Sequence, residues 1–507
     1  MSEWVLPDEV LANAPSSTPR PHELADLELL LAGAYEPLTG FLSAADVASV
    51  VARGELADGR PWPVPVTLDV PEELAARLDP AAPRDRVLVL TDPEGAPVAA
   101  VEVLEITPSG PGQARLAGPV RRIAEPEHGP FRRLRATPVA VRAGLPDGRV
   151  LGVIADTPLH RPQLAQISHA AKALSAHVLI LIPIATPGPD GLPPEALVRA
   201  VLAARDRLPR ACTVAAVPLA PRGDEIRDGL LNAKVAAAYG VTHLLSDGQT
   251  VTGGGLRVIV PRELGYDIRD GQWRPLDDIP PRFRRPRKTR GEIADLLDRG
   301  HGLPDWHTPP AVAAELSRSR PPRRERGLVV FCTGLSGSGK STIARGLYDT
   351  LAESGQRTVS LLDGDVVRRL LSAGLSFSAA DRDLNIRRIG YVAAEIGRHH
   401  GVAICCPIAP YAASRDAARE AAREAGADFV LVHVATPLEE CERRDRKGLY
   451  AKARAGVIGS FTGISDPYEV PVNAELTIDT TDLTVDQAVE RVITYLTDEG
   501  WLDRQGW

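Results

Sequence analysis

The side chains best suited to chemistry lie in one short segment of the carboxy-terminal third, GLSGSGKST at 334–342. The segment fits the pattern G-x-x-x-x-G-K-S/T, follows the apolar run LVVFCT and precedes a helical pattern. Glycines let such a loop turn its backbone N–H groups toward phosphate oxygens, a lysine reaches the β and γ phosphates, and a serine ligates Mg²⁺. We therefore expect an ATP site formed by Gly334, Leu335, Ser336, Gly337, Ser338, Gly339, Lys340, Ser341 and Thr342.

Two carboxylates follow the next apolar run, in VSLLDGDVVRRLL at 359–371. The carboxyl end of a parallel strand beside a phosphate loop is where a ligand binds. One carboxylate can hold Mg²⁺ while the other accepts a proton from an attacking hydroxyl group. We expect Lys340, Asp363 and Asp365 to be catalytic, with Ser341 and Asp363 at the metal. The alternative is that the two aspartates only cap a helix.

Residues 328–502 closely resemble the adenosine 5′-phosphosulfate (APS) kinases, also called adenylyl-sulfate kinases. The resemblance rests on the two segments above and on three further segments in the same order, which are GLSFSAADRDLNIRRIG (374–390), RDRKGLYAKARAG (444–456) and FTGISDPYE (461–469). It implies a kinase with a parallel sheet that uses ATP and Mg²⁺ to phosphorylate the 3′-hydroxyl of APS, giving 3′-phosphoadenosine 5′-phosphosulfate (PAPS).

The same resemblance assigns APS-binding positions. Phe377 and Phe461 would sandwich the adenine ring, a role that suits their flat faces. Basic side chains would hold the phosphosulfate group. The full set implied is Asp365, Arg368, Phe377, Arg382, Asn385, Ile408, Ala409, Lys447, Lys452 and Phe461.

The chain departs from the kinase pattern at a turn after one strand. Many family members have Ser before Pro there, whereas this chain reads Ile408-Ala409-Pro410, so no phosphoserine can form. Ala412 stands where many members have Arg. Direct transfer from ATP needs no phosphoserine, and we expect the loss of the arginine to weaken APS binding without abolishing the reaction.

Residues 1 to about 315 resemble ATP sulfurylase, the enzyme that makes APS. The segments that carry this resemblance are AYEPLTGFLSAADV (34–47), WPVPVTLDV (62–70), PLHR (158–161), AAAYGVTHLL (236–245) and LPDWHTPPAVAAEL (303–316).

The catalytic motifs of that family are altered in this chain. The family pattern Gln-Thr-Arg-Asn-Pro-x-His-x-x-His appears as IADTPLHRPQ at 154–163, so Asp156 replaces the arginine and only His160 survives of the two histidines. The loop Gly-Arg-Asp-His-Ala-Gly has become DGQTVT at 247–252. Joining sulfate to the α-phosphate of ATP needs cations and donors around two anions. We therefore interpret this region as an inactive sulfurylase.

The pattern of predicted strands and helices divides the chain into three regions. Short β-like runs at 64–70, 86–90 and 98–104 indicate a mostly β domain over residues 1–145. Apolar strands at 177–185 and 212–219, with helices at 193–206 and 223–239, indicate an α/β domain over 146–316. The resemblance to ATP sulfurylase implies that the first domain is PUA-like and the second Rossmann-like. Residues 317–327 contain five arginines and two prolines, which predict an exposed linker to a kinase domain at 328–507.

Composition excludes several classes of protein. The chain has 507 residues, is 44% hydrophobic and carries a net charge of −7, which disfavours a nucleic-acid binder. We interpret the basic run RFRRPRKTR (282–290) as a solvated face. The five cysteines fit neither a disulfide framework nor a zinc site. With no signal peptide and no long apolar stretch, we expect a cytoplasmic protein with no membrane partner.

Two alternatives remain at this point. One is a fully bifunctional PAPS synthase that starts from sulfate, and the other is a scaffold that senses nucleotides. The partners expected from the kinase resemblance are ATP, APS and further copies of the chain in a homo-oligomer. The sequence does not decide whether PAPS feeds sulfate reduction or the sulfation of a metabolite.

Overall fold

The computed structural model describes residues 13–83, 85–124, 130–246, 256–445 and 447–503. The chain folds into two compact units, and neither is one continuous stretch. The first unit contains Met1–Thr289 and Pro304–Glu315, and the second contains Arg290–Leu303 and Leu316–Trp507. Within the described ranges, no helix has the length and apolarity needed to cross a membrane.

The first unit begins with a mostly antiparallel sheet and short helices. Its elements are β1 (Ser16–Ser17), α1 (Pro21–Leu31), β2 (Gly40–Phe41), α2 (Ala44–Arg53), β3 (Leu68–Pro71), α3 (Glu72–Ala75), β4 (Val87–Thr91), β5 (Pro97–Glu102), β6 (Glu105–Gly110), β7 (Gln113–Arg122) and α4 (Pro138–Gly144). The strand order is β1-β4-β5-β7-β2, with β3 and β6 also paired to β7. The predicted strands at 86–90 and 98–104 are confirmed, whereas only the end of the 64–70 run forms a strand, since Pro63 and Pro65 lack backbone donors.

A parallel sheet with crossover helices follows in the same unit. Its elements are β8 (Val150–Ile154), α5 (Arg161–Leu174), β9 (His177–Pro183), α6 (Pro194–Ala203), β10 (Cys212–Val217), α7 (Glu225–Ala238), β11 (His243–Leu245) and β12 (Arg257–Ile259), in the sheet order β10-β9-β8-β11-β12. A small antiparallel sheet then contains β13 (Leu264–Asp267), β14 (Gln272–Pro275) and β15 (Arg284–Arg285). The α/β pattern expected for this region is confirmed.

One buried core joins both parts of the first unit. Leu27, Tyr35 and Trp62 belong to the same buried cluster as Leu179 and Val217 of the parallel sheet. Tyr35 and Trp62 meet edge to face, with ring centroids 5.3 Å apart. The regions 1–145 and 146–316 therefore share apolar contacts through one face of the parallel sheet.

The second unit is a doubly wound α/β layer. Its elements are α8 (Arg290–Asp298), β16 (Leu328–Thr333), α10 (Lys340–Ser354), β17 (Val359–Leu362), α11 (Gly364–Leu370), α12 (Ala379–Arg398), β18 (Val402–Cys405), α13 (Ala412–Glu424), β19 (Asp428–Val434), α14 (Leu438–Arg444), α15 (Leu449–Arg454), β20 (Leu476–Ile478) and α16 (Val485–Asp498), while α9 (Pro310–Ser319) ends inside it. The five strands are parallel, in the order β17-β18-β16-β19-β20.

The central strand β16 shows why helices cover both faces of this sheet. Successive side chains of a strand point to opposite faces. Leu328 and Val330 accordingly pack in the cluster that contains residues of α10 and α16, and Val329 and Phe331 pack in the cluster that contains residues of α12 and α13. Every residue of β16 is buried. Because the strands are parallel, the loop that follows β16 lies at the carboxyl edge of the sheet.

The segment 317–327 is only partly exposed: Ser317, Arg318, Arg324 and Glu325 are exposed, whereas Arg326 is buried. Arg320 and Arg326 both donate hydrogen bonds to the carboxylate of Asp298, at 2.7 Å and 2.5 Å. The side chain of Arg326 is 7% exposed. These arginines are held because Asp298, the last residue of α8, belongs to the same unit as they do.

Candidate functional site

The phosphate-binding loop (residues 334–342) joins β16 to the start of α10. Gly334, Gly337 and Gly339 have φ angles of 150°, 76° and 103°, a region that favours glycine. A Cβ atom on Gly334 would lie 2.4 Å from the carbonyl oxygen of Val434. The sequence prediction of a tightly turned loop at a helix start is thus matched by a backbone that only glycine fits.

Lys340 is the first residue of α10 and is buried inside the loop. Its ammonium group donates a hydrogen bond of 2.6 Å to the carbonyl oxygen of Leu335. Burial lowers the pKa of Lys340 from 10.5 to about 8. A cation held here, with one main-chain acceptor, suits an anionic ligand that would complete its coordination.

Asp363 caps α11, as the capping interpretation requires. Its Oδ1 atom accepts hydrogen bonds from the N–H groups of Asp365 and Val366, at 2.9 Å and 3.4 Å. Its Oδ2 atom accepts a hydrogen bond from the Cys406 thiol at 3.6 Å. Burial raises the pKa of that thiol to about 11, and the Ser341 hydroxyl acts to lower it. Capping therefore uses one carboxylate oxygen, and the other contacts the thiol.

Asp365 lies outside the buried part of the site. Its carboxylate is exposed and forms an ion pair with the ammonium group of Lys447, which follows α14. This pair connects the DGD segment to the segment 444–456 across a sequence separation of 82 residues. An exposed carboxylate at the loop edge is accessible to a substrate hydroxyl group.

Arg368 connects the DGD segment to the segment 374–390. Its guanidinium group donates to the carbonyl oxygen of Ser376 at 3.1 Å and lies 4.4 Å from the ring centroid of Phe377. Phe377 is 63% exposed, so one face of its ring is open to a partner. An exposed aromatic ring backed by a cation is a suitable surface for stacking a base.

Arg382 and Asn385 lie on α12 with polar atoms that have no protein partner. Arg382 donates to Thr462 Oγ1 at 3.0 Å and pairs with Asp466, which connects α12 to the segment 461–469. In the described part of the chain, the Nε atom of Arg382 and the Oδ1 atom of Asn385 are buried without a hydrogen-bond partner. Such atoms are costly unless a ligand binds them.

Phe461 lies beneath the phosphate-binding loop. Its ring meets Tyr450 edge to face, with centroids 5.0 Å apart, and Tyr450 donates a hydrogen bond of 2.8 Å to the carbonyl oxygen of Ser336. Lys452 lies exposed on α15, two residues after Tyr450. These contacts connect the segments 444–456 and 461–469 to the loop.

Ile408 and Ala409 form the turn between β18 and α13. The carbonyl oxygen of Ile408 accepts a hydrogen bond of 2.6 Å from the hydroxyl group of Thr333, the last residue of β16. Ala409 is buried and has a positive φ of 46°. The turn therefore lies directly behind the start of the phosphate-binding loop.

The five motif segments thus meet at one edge of the sheet through direct side-chain contacts. Sequence reasoning missed three residues that make these contacts, which are Thr333, Cys406 and Tyr450. A usable signal existed for Thr333 and Cys406, because both lie at or just after the carboxyl end of a predicted parallel strand.

The first unit contains the second candidate site, around His160. His160 follows β8 and precedes α5, and its ring lies 4.8 Å from that of His307. Its Nδ1 atom is 3.0 Å from the hydroxyl group of Thr308. Burial and the neighbouring His307 lower the pKa of His160 to about 3. The loop 247–252 lies outside the described residues.

Comparison with known proteins gives the family. The family model for adenylylsulphate kinase matches residues 326–479, that for ATP-sulfurylase matches 132–254, and that for a PUA-like domain matches 9–114. A sulfate adenylyltransferase of Aspergillus fumigatus is 34% identical over 537 residues, which covers 95% of this chain and 93% of that protein. The chain belongs to the sulfate adenylyltransferase family.

Other relatives agree with this assignment. A sulfate adenylyltransferase of Phaeosphaeria nodorum is also 34% identical, over 95% of this chain and 93% of its own. The structure described as a hexameric APS kinase from Thiobacillus denitrificans superposes with a TM-score of 0.72 at 36% identity, covering 98% of this chain and 95% of that one. This member of the family is therefore a kinase enzyme. Its adenylylsulphate kinase domain follows the PUA-like and sulfurylase domains in the sequence, which confirms the predicted fold class and family.

Proposed function

We propose that the chain phosphorylates the 3′-hydroxyl group of APS with ATP and releases PAPS and ADP. The observation that carries this proposal is that side-chain contacts of Tyr450, Lys447 and Arg382 connect the other four kinase segments to one another and to the phosphate-binding loop. No single motif would separate this reaction from other phosphoryl transfers, whereas this combination supports APS as the acceptor.

The phosphate-binding loop would hold ATP, with Lys340 beside the transferred phosphoryl group. Oxygen donors are the ligands that Mg²⁺ prefers, and both the Ser341 hydroxyl and the Asp363 carboxylate supply them next to Cys406. Mg²⁺ bound there would neutralise the phosphate charge. We assign Ser341 and Asp363 as its ligands.

Asp365 would accept the proton of the 3′-hydroxyl group of APS. The hydroxyl oxygen would attack the γ-phosphorus of ATP, and the bond between that phosphorus and the oxygen that leaves with ADP would break. Its ion pair with Lys447 orients the carboxylate. Asp365 is exposed while Asp363 is buried, which supports separate roles for the two carboxylates.

The APS site would use the aromatic and basic groups beside Asp365. The unpartnered atoms of Arg382 and Asn385 support a polar ligand at α12, and the open face of Phe377 supports a stacked adenine. The full set proposed is Asp365, Arg368, Phe377, Arg382, Asn385, Ile408, Ala409, Lys447, Lys452 and Phe461.

The first unit is proposed to lack sulfurylase activity. A histidine with a pKa of about 3 stays neutral and attracts no anion, and the half-buried His160 ring packs against His307. Asp156 adds negative charge where the reaction needs cations. The competing proposal is a bifunctional PAPS synthase, favoured by the names of the relatives that span the whole chain.

One pair of assays on the purified full chain tests both proposals. We expect ADP to form from ATP only when APS is added, and no pyrophosphate release when sulfate replaces APS. Absence of APS-dependent ADP formation would refute the kinase proposal and favour the nucleotide-sensing scaffold. Sulfate-dependent pyrophosphate release that disappears in His160→Ala would establish the bifunctional enzyme instead.

The chain is also proposed to form a homo-oligomer. The support is its similarity over almost its full length to a protein described as hexameric. Light scattering of the full chain at several concentrations measures the assembly, and a monomer at all concentrations would contradict the proposal.

A further inference from the structure

The turn Ile408-Ala409-Pro410 contains an unusual backbone conformation. Ala409 has a φ of 46° and is 1% exposed. A residue with a Cβ atom in this left-handed region is strained by about 1–2 kcal/mol and keeps the conformation only when its surroundings impose it. Some group outside the turn must therefore hold Ala409.

Arg415 makes the required contact. It lies on α13, is 3% exposed, and its Nη1 atom donates a hydrogen bond of 2.8 Å to the carbonyl oxygen of Ala409. Its Nη2 atom donates at 2.8 Å to the carbonyl oxygen of Glu469, at the end of the segment 461–469. One planar guanidinium group thus bridges the turn and a substrate segment, a geometry that an ammonium group does not reproduce.

A second set of contacts also holds the turn. Thr333 Oγ1 donates to the carbonyl oxygens of Ile408 and, at 3.2 Å, of Ala409, and lies 3.0 Å from the hydroxyl group of Tyr468. The N–H group of Glu469 donates to the carbonyl oxygen of Pro410 at 2.9 Å. These bonds join the turn to β16 and to the segment 461–469, so Arg415 acts within a network that ends at the phosphate-binding loop.

We propose that Arg415 is a positioning residue that holds Ala409 in its left-handed conformation and thereby shapes the APS site. This inference rests on the proposed kinase function. Both of its donors reach main-chain carbonyl groups, and its side chain is buried, so it acts through the turn and not through contact with substrate phosphates. Glu469, Asp416 and the Tyr468 ring offset part of the cost of burying this cation, but burial still lowers its pKa, so both hydrogen bonds are spent on main-chain geometry.

The substitution Arg415→Lys tests the proposal because it keeps the charge but cannot donate to both carbonyl groups in this geometry. We expect the KM for APS to rise about tenfold, which corresponds to about 1.4 kcal/mol of lost binding, while kcat and the KM for ATP change less than about twofold. The matched control is Arg419→Lys, one helical turn further along α13, where Arg419 pairs with the Glu475 side chain. The control should leave both KM values unchanged.

Rescue separates positioning from a merely structural role. Glycine adopts a positive φ without the Cβ penalty, so Ala409→Gly added to Arg415→Lys should return the KM for APS to within about threefold of the wild type. If Arg415 had only a structural role, Arg415→Lys would instead lower the melting temperature and the active fraction. Adding Ala409→Gly would then not restore the ratio of the two KM values.

Each outcome of this experiment decides the matter. If Arg415→Lys does not fold but the double variant does, with near-wild-type KM for APS, that result is the rescue and supports the proposal. If neither folds, or if Arg415→Lys binds APS normally, the positioning role is refuted. A wild-type chain that forms no ADP with APS refutes the proposed function itself and is recognised before any variant is compared.

Discussion

The Tyr450 hydroxyl group donates a 2.8 Å hydrogen bond to the carbonyl oxygen of Ser336, inside the phosphate-binding loop. Tyr450 is buried, and its ring packs edge to face against Phe461, which we assign to the APS site. One side chain therefore contacts the phosphate-binding loop and a ring that we propose for the APS site. We expect the two proposed substrate sites to be coupled through it.

Tyr450→Phe should weaken the binding of both substrates. The variant keeps the ring contact with Phe461 but removes one hydrogen bond, worth about 1 kcal/mol, which predicts a rise of about fivefold in both KM values. Steady-state kinetics with each substrate varied in turn checks this, with Tyr391→Phe, an exposed tyrosine of α12, as the control. A rise in only one KM value would contradict the coupling.

Asp365→Asn should slow the chemical step without weakening the binding of ATP. General-base catalysis contributes about 10²–10⁴-fold, so we expect kcat to fall at least 100-fold. The phosphate-binding loop is untouched, and the dissociation constant for ATP, measured by calorimetry, should change little. Asp486→Asn, at an exposed position of α16, is the control. An equal loss of ATP binding would remove Asp365 from the proton-accepting role.

Lys340→Met should slow turnover strongly while preserving the fold. Loss of the buried cation beside the transferred phosphoryl group should lower kcat about 100- to 1,000-fold. Burial depresses the pKa of Lys340 to about 8, so the charge is unfavourable to the unliganded protein. We therefore expect a melting temperature equal to or above that of the wild type. A clear loss of thermal stability would mean that Lys340 holds the loop together instead of serving the ligand.

The sequence predicts local features of this site well and long-range ones poorly. The glycine conformations of the loop and the helix cap at Asp363 are determined by residues close in sequence, so the sequence pattern predicts them. Cys406 meets Asp363 only because β18 lies beside β17, 43 residues away in the chain. The arginines of 317–327 suggested solvent exposure, because nothing near them in sequence reveals the carboxylate that binds them.

That carboxylate belongs to Asp298 at the end of α8. Arg326, which it binds, also donates to Asp428 at 3.0 Å, and Asp428 accepts a hydrogen bond of 2.7 Å from the indole N–H of Trp501. Burial alone would raise the pKa of Asp298, but hydrogen bonds from Arg320 and Arg326 lower it to about 2. The kinase unit thus depends on a residue that lies before its own first strand.

Asp298→Ala should destabilise the second unit. Removing one partner of a largely buried ion pair leaves Arg326 undercompensated and costs about 3 kcal/mol. In a unit of this size, that corresponds to a fall of roughly 6–12 °C in melting temperature, measured by calorimetry on the full chain with exposed Asp482→Ala as control. Because the pKa of Asp298 is about 2 in the folded state against 3.8 ordinarily, its contribution is complete above pH 3.8 and disappears as the pH falls toward 2. The difference between variant and wild type should therefore shrink over that acidic interval. A difference that is absent at neutral pH would show that Arg326 needs only Asp428, and a kinase fragment starting at Arg323 would then be as stable as one that includes α8.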